Sequence, residues 1–246
     1  MKIVIAGAPK TGNMWLKNIL GHVYGIPRVD VSNVPDFRTY MDENFPSFVT
    51  HQHFLPKPYL LDWGMRRNVC FLTMARHPGD LFVSLYFYVN RFAKSWEETG
   101  TLGTTASHRL IGKELGSPAV YSYLEKDFQE ECLGKSLAWI KQGYTTCVRY
   151  EDLIEQPLLT LKNLTNTLQP VNRWRIWRAI HKSRFKSMRG KASETMVAHF
   201  REGKTGGWSK HLNQKHIALI SEHCAAAMTY WNYSFDRVPI GPSIES

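Results

Sequence analysis

The stretch Lys2-Ile3-Val4-Ile5-Ala6-Gly7 constrains this chain more than any other. A short apolar run rich in β-branched residues that stops at glycine reads as a parallel strand buried on both faces. It leads straight into Gly7-Ala8-Pro9-Lys10-Thr11-Gly12. From about Asn13 a helical pattern follows, with Leu16, Ile19, Leu20 and Val23 on one face, until Gly25 and Pro27 stop it. A strand that turns through two glycines into a helix exposes backbone N–H groups at the positive helix end, which suits an anion.

Beyond this opening unit, strands alternate with helices. "SFVTHQHFLP" predicts a short strand ending near His51–His53, residues 67–76 a core strand, and residues 145–153 a third clear one. Helices are predicted after His77-Pro78-Gly79-Asp80, where proline and aspartate suit a helix start, and over 119–131, 157–168 and 173–182. A final helix carries Ile217, Ile220, Cys224, Ala227 and Trp231. Residues 28–47 read as loop with short helical pieces, and 94–118 as a mobile loop or lid. The alternation predicts an α/β fold with a central parallel sheet flanked by helices. A length of 246 residues without repeats fits a single domain over 1–246, and 43% hydrophobic residues can form its core.

The formal charge of +10 is compatible with a solvated basic surface or with an anionic ligand such as a nucleotide, a phosphate or an acidic acceptor. No long Lys/Arg tract, zinc spacing or RNA-binding aromatic motif supports nucleic acid as a partner. Cys70, Cys132, Cys147 and Cys224 are scattered, with no C-x-x-C spacing, as in a reduced cytoplasmic protein. "MKIVIAG" is too short for a signal-peptide core, and no stretch approaches a membrane span, so no membrane partner is expected.

The usual phosphate-binding loop, G-x-x-x-x-G-K-[ST], carries lysine and a hydroxyl after its second glycine. Here Asn13 and Met14 take those places, and Lys10 comes two residues before Gly12. A P-loop kinase would hold Mg²⁺ through that hydroxyl and through an acid at a strand end. The 67–76 strand ends in Arg76 instead, while "TTCVRYED" does end in acids and keeps the kinase alternative open. A basic nucleotide- or nucleic-acid-binding protein without catalysis is the alternative from another class.

Five further stretches share one pattern. "PKTGNMW" (9–15) resembles the P-K-[ST]-G-[TN]-x-W loop of the PAPS-dependent sulfotransferases, and "ARHPGDLFVSLYFY" (75–88) their R-x-P-x-D-x-x-x-S segment. "FREGKTGGW" (200–208) resembles their R-K-G-x-x-G-x-W segment, and "VRYEDL" (148–153) and "SRFKSM" (183–188) are similar to two weaker stretches. Their order along the chain also agrees. The resemblance implies a P-loop NTPase-like fold. It also implies transfer of a sulfuryl group from 3′-phosphoadenosine 5′-phosphosulfate (PAPS) to a hydroxyl or amine of a small-molecule or natural-product acceptor. The product nucleotide is 3′,5′-diphosphoadenosine (PAP).

By that resemblance Lys10 reaches the leaving phosphate oxygen, so that no metal is required. Thr11, Gly12 and Asn13, with loop backbone N–H groups through Met14, bind the 5′-phosphate. Trp15 stacks on adenine or, alternatively, serves the core. Arg76 and Ser84, eight residues apart, bind the 3′-phosphate together with Arg201 and Gly203. Glu202 stands where the family has lysine, and its side chain is expected to turn away from the phosphate. Tyr150, Ser183 and Phe185 align with adenine-pocket positions.

"THQHFLP" is similar to the family's K-T-H-x-L-P-like stretch, whose histidine takes the acceptor proton. His53 fits that role because Phe-Leu-Pro follows it. His51 is the competitor, and it occupies the place where lysine often stands. Tyr86, Phe87, Tyr88, Phe92 and Trp96 line an acceptor pocket or fill the core. The K-x-x-x-T-V-type dimer segment of the cytosolic animal enzymes is not found, and the oligomeric state stays open.

Overall fold

In chain order the elements are β1 (Lys2–Ala6), α1 (Asn13–Tyr24), α2 (Phe37–Asn44), β2 (Phe48–Gln52), α3 (Pro58–Arg67) and β3 (Val69–Ala75). There follow α4 (Pro78–Glu98), a 3-10 turn (Ala106–Leu110), α5 (Pro118–Lys126), α6 (Phe128–Glu131), α7 (Leu133–Lys141) and β4 (Thr145–Arg149). The chain continues through α8 (Tyr150–Glu155), α9 (Pro157–Leu168) and α10 (Arg173–Lys182). A second 3-10 turn (Gly207–Lys210), α11 (Gln214–His223) and α12 (Ala225–Trp231) complete it. The computed structural model describes residues 1–31, 36–183 and 205–236. Two compact units are present: Met1–Ala75 with Lys135–Lys191, and Arg76–Gly134 with Ala192–Ser246.

The first unit contains a four-stranded sheet in the order β2-β1-β3-β4, every neighbouring pair parallel. Its register sets Ile3 opposite both Val49 and Cys70, and Ala75 opposite Arg149. Residues alternate between faces along each strand. One face carries Ile3, Ile5, Leu72 and Met74 against Leu16, Ile19 and Leu20 of α1 and Ile176 of α10. The other carries Val4, Ala6, Phe48 and Phe71 against Met41, Trp63 and Trp139. There the Phe71 ring stacks on Trp139 at 4.7 Å between centroids. The expected α/β class with a central parallel sheet is thus observed. Because the chain moves from β2 past β1 to β3, the switch point falls between β1 and β3, where such sheets bind ligands at their carboxyl ends.

Several elements differ from the sequence reading. Helices α3 and α7 lie where none was predicted; α7 contains Gly134 near its start, and its stripe of Leu133, Leu137 and Ile140 spans barely two turns. The third predicted strand stops at Arg149, and Tyr150–Glu155 is already helix. The segment 94–118 is not a structureless loop. Helix α4 runs on to Glu98, and the 3-10 turn starts where the Glu131 carboxylate accepts the N–H groups of Ala106 and Ser107 at 2.7 and 3.0 Å. The helix predicted over 119–131 breaks at Asp127, and the final one at Cys224. No helix among the described residues is long and apolar enough to cross a membrane.

In the second unit Phe82 of α4 packs against Phe128 and Tyr123. The Asp80 carboxylate, 3% exposed, does more than favour the helix start. It accepts the backbone N–H of Gly206 at 2.6 Å and that of Trp208 at 2.9 Å. The Trp208 ring in turn stacks on His77 with 10° between planes. One acid therefore fixes a segment 126 residues away.

Asp80→Ala leaves both N–H groups buried without an acceptor. Hydrogen bonds to a charged group contribute about 1.5–3 kcal/mol each, so a loss of roughly 3 kcal/mol or more is expected. That corresponds to a Tm about 6 °C or more below wild type in a chain of this size. Calorimetric melting checks it, and a Tm within 1 °C of wild type, on the order of the smallest resolved effect, would contradict the bracing role of Asp80.

Candidate active site

The turn from β1 to α1 is built around the Ala8 peptide. Its N–H donates to Ser136 Oγ at 3.0 Å. Its carbonyl accepts from Asn13 Nδ2 at 2.8 Å. Thr11 Oγ1, 3.0 Å from that carbonyl and 3.1 Å from Asn13 Oδ1, offers its single hydrogen there as well. Lys10 and Gly12 both have left-handed backbone, with φ of 60° and 97°. At Gly12 a Cβ would meet Tyr150 Cδ2 at 2.7 Å, so glycine is required by space as well as by conformation.

The side chains of Thr11 and Asn13 are buried, at 0% and 4% exposure, and are used inside the turn. What the turn can offer an anion is therefore backbone N–H and the half-buried Lys10. Gly12 caps α1 without a side-chain bond, and no acid stands in the first helical turn. The N–H groups of Asn13 and Met14, which have no carbonyl within the helix, carry the positive end of its dipole.

Gly7 ties the end of β2 to this turn. Its N–H donates to the Gln52 carbonyl at 3.1 Å, and its own carbonyl lies 3.1 Å from His53 Nδ1. A carbonyl can only accept, so Nδ1 carries the hydrogen and Nε2 keeps the lone pair. Crowding of the ring by protein is the main influence on His53. It lowers the pKa, the Gly7 bond opposes it, and the ammonium groups of Lys135 and Lys10 lower it further, down to about 4. The residue is nonetheless exposed to solvent, so only the direction bears on the chemistry: a lowered pKa leaves His53 a neutral imidazole at neutral pH. His51 is held differently, 3.9 Å from Asp30, which also pairs with the buried Lys17. The two histidine rings meet edge to face at 5.7 Å.

Three residues far apart in sequence converge beside Gly12. Trp15 Nε1 donates to the Ser183 carbonyl at 3.0 Å, and the Trp15 and Tyr150 rings meet edge to face at 6.2 Å. Trp15 belongs to the core and is 7% exposed, so little of its ring is open for a base to stack on. Ser183 Oγ is buried and has no hydrogen-bond partner among the described residues.

In the second unit Arg76 follows β3 directly, and Ser84 lies on α4; both are half-buried. Phe185, Arg201, Glu202 and Gly203 lie outside the described residues. Tyr88, Phe92 and Trp96 pack on one another along α4 at 4.8–6.1 Å, and Trp96 reaches His108 at 4.4 Å. Tyr86 Oη donates to the Lys113 carbonyl at 2.7 Å. The acids that left the kinase alternative open, Glu151 and Asp152, sit in α8 rather than at the end of β4, which closes with Arg149.

The sequence reading missed Ser136 and Lys135 beside the turn and, in the second unit, the bracing role of Asp80. Asp80 was visible as the aspartate of the R-x-P-x-D segment, but its partners were not. Nothing local in the sequence marks Ser136 or Lys135.

A family model described as "Sulfotransferase domain" matches residues 1–232. Among solved structures, the mouse sulfotransferase SULT7A1 complexed with PAP is similar with a TM-score of 0.69 at 16% identity, over 92% of this chain and 83% of that one. Retinol dehydratase in complex with androsterone and inactive cofactor PAP gives 0.61 at 13% identity, over 92% and 80%. Retinol dehydratase in a complex with retinol and PAP gives 0.58 at 13%, over 97% and 83%. No curated protein sequence matches the chain. At such identities the structures establish the fold, while the family model spans the loop, both histidines and every motif segment. This chain belongs to the sulfotransferase-domain family.

Proposed function

We propose that this sulfotransferase uses residues 1–246 as one catalytic domain to move a sulfuryl group from PAPS to a hydroxyl or amine of a small-molecule acceptor. The observation that carries this reading is the shared anchor at Gly7. The imidazole of His53 hangs from the Gly7 carbonyl, three residues before the lysine of the anion-binding turn. A neutral base and a mobile cation are thereby set on one short piece of backbone.

The reaction needs in-line positioning and charge stabilisation rather than a covalent enzyme intermediate. His53 Nε2 takes the acceptor proton as the acceptor oxygen or nitrogen bonds to sulfur. The bond from sulfur to the 5′-phosphate oxygen breaks, and its electron pair stays on that oxygen. Lys10 neutralises the charge developing there. Backbone N–H groups of Gly12, Asn13 and Met14 hold the 5′-phosphate, with the Thr11 and Asn13 side chains keeping the turn in shape. Trp15, Tyr150 and Ser183 wall the adenine site; the convergence of these three supports that role, and the buried Ser183 hydroxyl is suited to a ligand. Arg76 and Ser84 bind the 3′-phosphate, for which a planar guanidinium fork is apt. The family resemblance assigns Arg201 and Gly203 to the same phosphate and Phe185 to the adenine pocket, and gives Glu202, in the place of the family's lysine, no part in holding the phosphate.

Androsterone and retinol, each found in complex with retinol dehydratase beside PAP, support an apolar alcohol as the acceptor class here. A cytoplasmic location accords with four scattered cysteines, none of them in a disulfide among the described residues.

Lys10 acts on an oxygen whose charge is larger in the transition state than in bound PAPS, so its removal lowers kcat more than nucleotide affinity. Lys10→Ala is expected to lose roughly 10²–10³-fold in kcat, the scale for one oxyanion donor. Lys10→Arg recovers only part, because the guanidinium is bulkier in a tight turn. Activity persists in chelator. Steady-state PAP release from PAPS with a panel of alcohols and phenols checks this. A Lys10→Ala enzyme with wild-type kcat, or a wild type silenced by EDTA, would contradict it.

For the base, His53→Ala is expected to lose roughly 10²–10⁴-fold in turnover, while His51→Ala loses far less. The lowered pKa of His53 also places the acid limb of kcat/KM below the usual 6.5. Between pH 7 and 6 activity therefore holds, where an unshifted histidine would be roughly three-quarters protonated by pH 6. The pH–rate profile decides: an acid limb at or above the ordinary histidine value, or full activity in His53→Ala, counts against the assignment.

A further inference from the structure

Helix α7 brings a charged side chain to the turn that no sequence motif names. Two residues of α7 bind backbone on either side of the site. Ser136 Oγ receives the Ala8 N–H and donates to the Met74 carbonyl at 2.9 Å. Trp139 Nε1 donates to the carbonyl of Phe54, the neighbour of His53, also at 2.9 Å. Residues three and four apart on a helix are neighbours, so Trp139 shares a face with Ser136 and with Lys135. Lys135 therefore lies on the face of α7 that is bonded both to the Lys10 turn and to the end of β2. It is half-buried, and it acts on His53 more strongly than Lys10 does.

The family pattern has a lysine two residues before the histidine, where this chain has His51. That ring is turned to Asp30 at 3.9 Å and is not a permanent cation. We propose that Lys135 is the second cation of the transfer site, standing in from α7 for the lysine absent at position 51 and contacting the sulfonate oxygens of the donor. The inference rests on the reading of His53 and Lys10 given above.

The groups acting on His53 are Lys10 from the turn, Lys135 from α7 and the His51 ring from β2, with Asp30 behind His51. Removing Lys135 removes a repulsion, so protonation of His53 becomes easier and its pKa rises. Crowding of the ring by protein remains the larger influence, so the value stays below 6.5.

Two measurements on wild type, Lys135→Ala and Lys135→Arg test this without depending on the acceptor. Calorimetry compares PAPS with PAP, which lacks the sulfonate. Lys135→Ala is expected to lose roughly tenfold to a hundredfold in PAPS affinity, the scale of a bond between charged groups, with PAP affinity unchanged. NMR titration of His53 is expected to move upward in Lys135→Ala and to stay in place in Lys135→Arg, which a purely structural role for the side chain would not produce. An unchanged ratio of PAPS to PAP affinity, or an unmoved His53 titration, overturns the inference alone. A wild type that binds neither nucleotide overturns the proposed function and this inference with it. If His53→Ala keeps full turnover while both Lys135 effects appear, the second cation stands and the base assignment falls.

Discussion

Everything at the carboxyl edge of the sheet depends on the Ala8 peptide and the two glycines beside it. Gly7 is the last point at which β1 touches both β2 and the turn, and a Cβ there would lie 2.4 Å from Thr73 Oγ1 and 2.7 Å from Ser136 Oγ. The close approach of α7 to the turn is possible only because that atom is missing. The Ala8 N–H then locks α7 in place, while its carbonyl draws Thr11 and Asn13 inward. With both side chains used internally, the turn presents backbone N–H and a lysine, which is what an anionic ligand with several oxygens requires.

The displaced lysine follows from the same geometry. A lysine after the second glycine would sit in α1, whose first turn already favours an anion through its dipole. Lys10 instead sits in the bend itself, at φ 60°, a conformation that costs a residue with a Cβ about 1 kcal/mol. A non-glycine residue held there is a sign of constraint, and such residues cluster at ligand-binding sites. In the proposed reaction the ammonium group on this bend meets the leaving oxygen, while the positive end of α1 faces the phosphate that remains. Crowding by protein and the ammonium groups of Lys135 and Lys10 all lower the pKa of His53, so in the proposed reaction a neutral imidazole and a cation share one turn.

What could be read from the sequence was what is local in the chain. Strand β1, helix α1 and strand β3 were legible because a β-branched run and a 3.6-residue period are each complete within a dozen residues. The Lys10 turn and the His51–His53 stretch were legible for the same reason. Helix α7 was not, because Gly134 and a short apolar stripe give a weak local signal, and the helix is held by bonds to Ala8 and Phe54, 128 and 85 residues distant from their partners. Strand β4 was read too long because Val148-Arg149-Tyr150 continues an alternating pattern into α8. Trp15 shows the ambiguity of an aromatic at helical spacing: its position in the motif points to adenine, yet the folded ring is mostly inside the core. Asp80 was part of a recognised motif, but only the fold reveals that its carboxylate braces Gly206 and Trp208.

The central claim is that this site is built for an adenine nucleotide with a 3′-phosphate and not for a triphosphate. Titration calorimetry of PAP, AMP and ATP, the last with Mg²⁺, tests it most directly, using wild type and an Arg76→Ala/Ser84→Ala variant. The account predicts that wild type prefers PAP to AMP by roughly tenfold or more, since charge-assisted bonds to the extra phosphate are each worth about 1.5–3 kcal/mol. It also predicts that ATP binds more weakly than PAP, and that the double variant binds PAP and AMP about equally. Tightest binding of ATP with Mg²⁺, or a wild type that does not distinguish PAP from AMP, would contradict it.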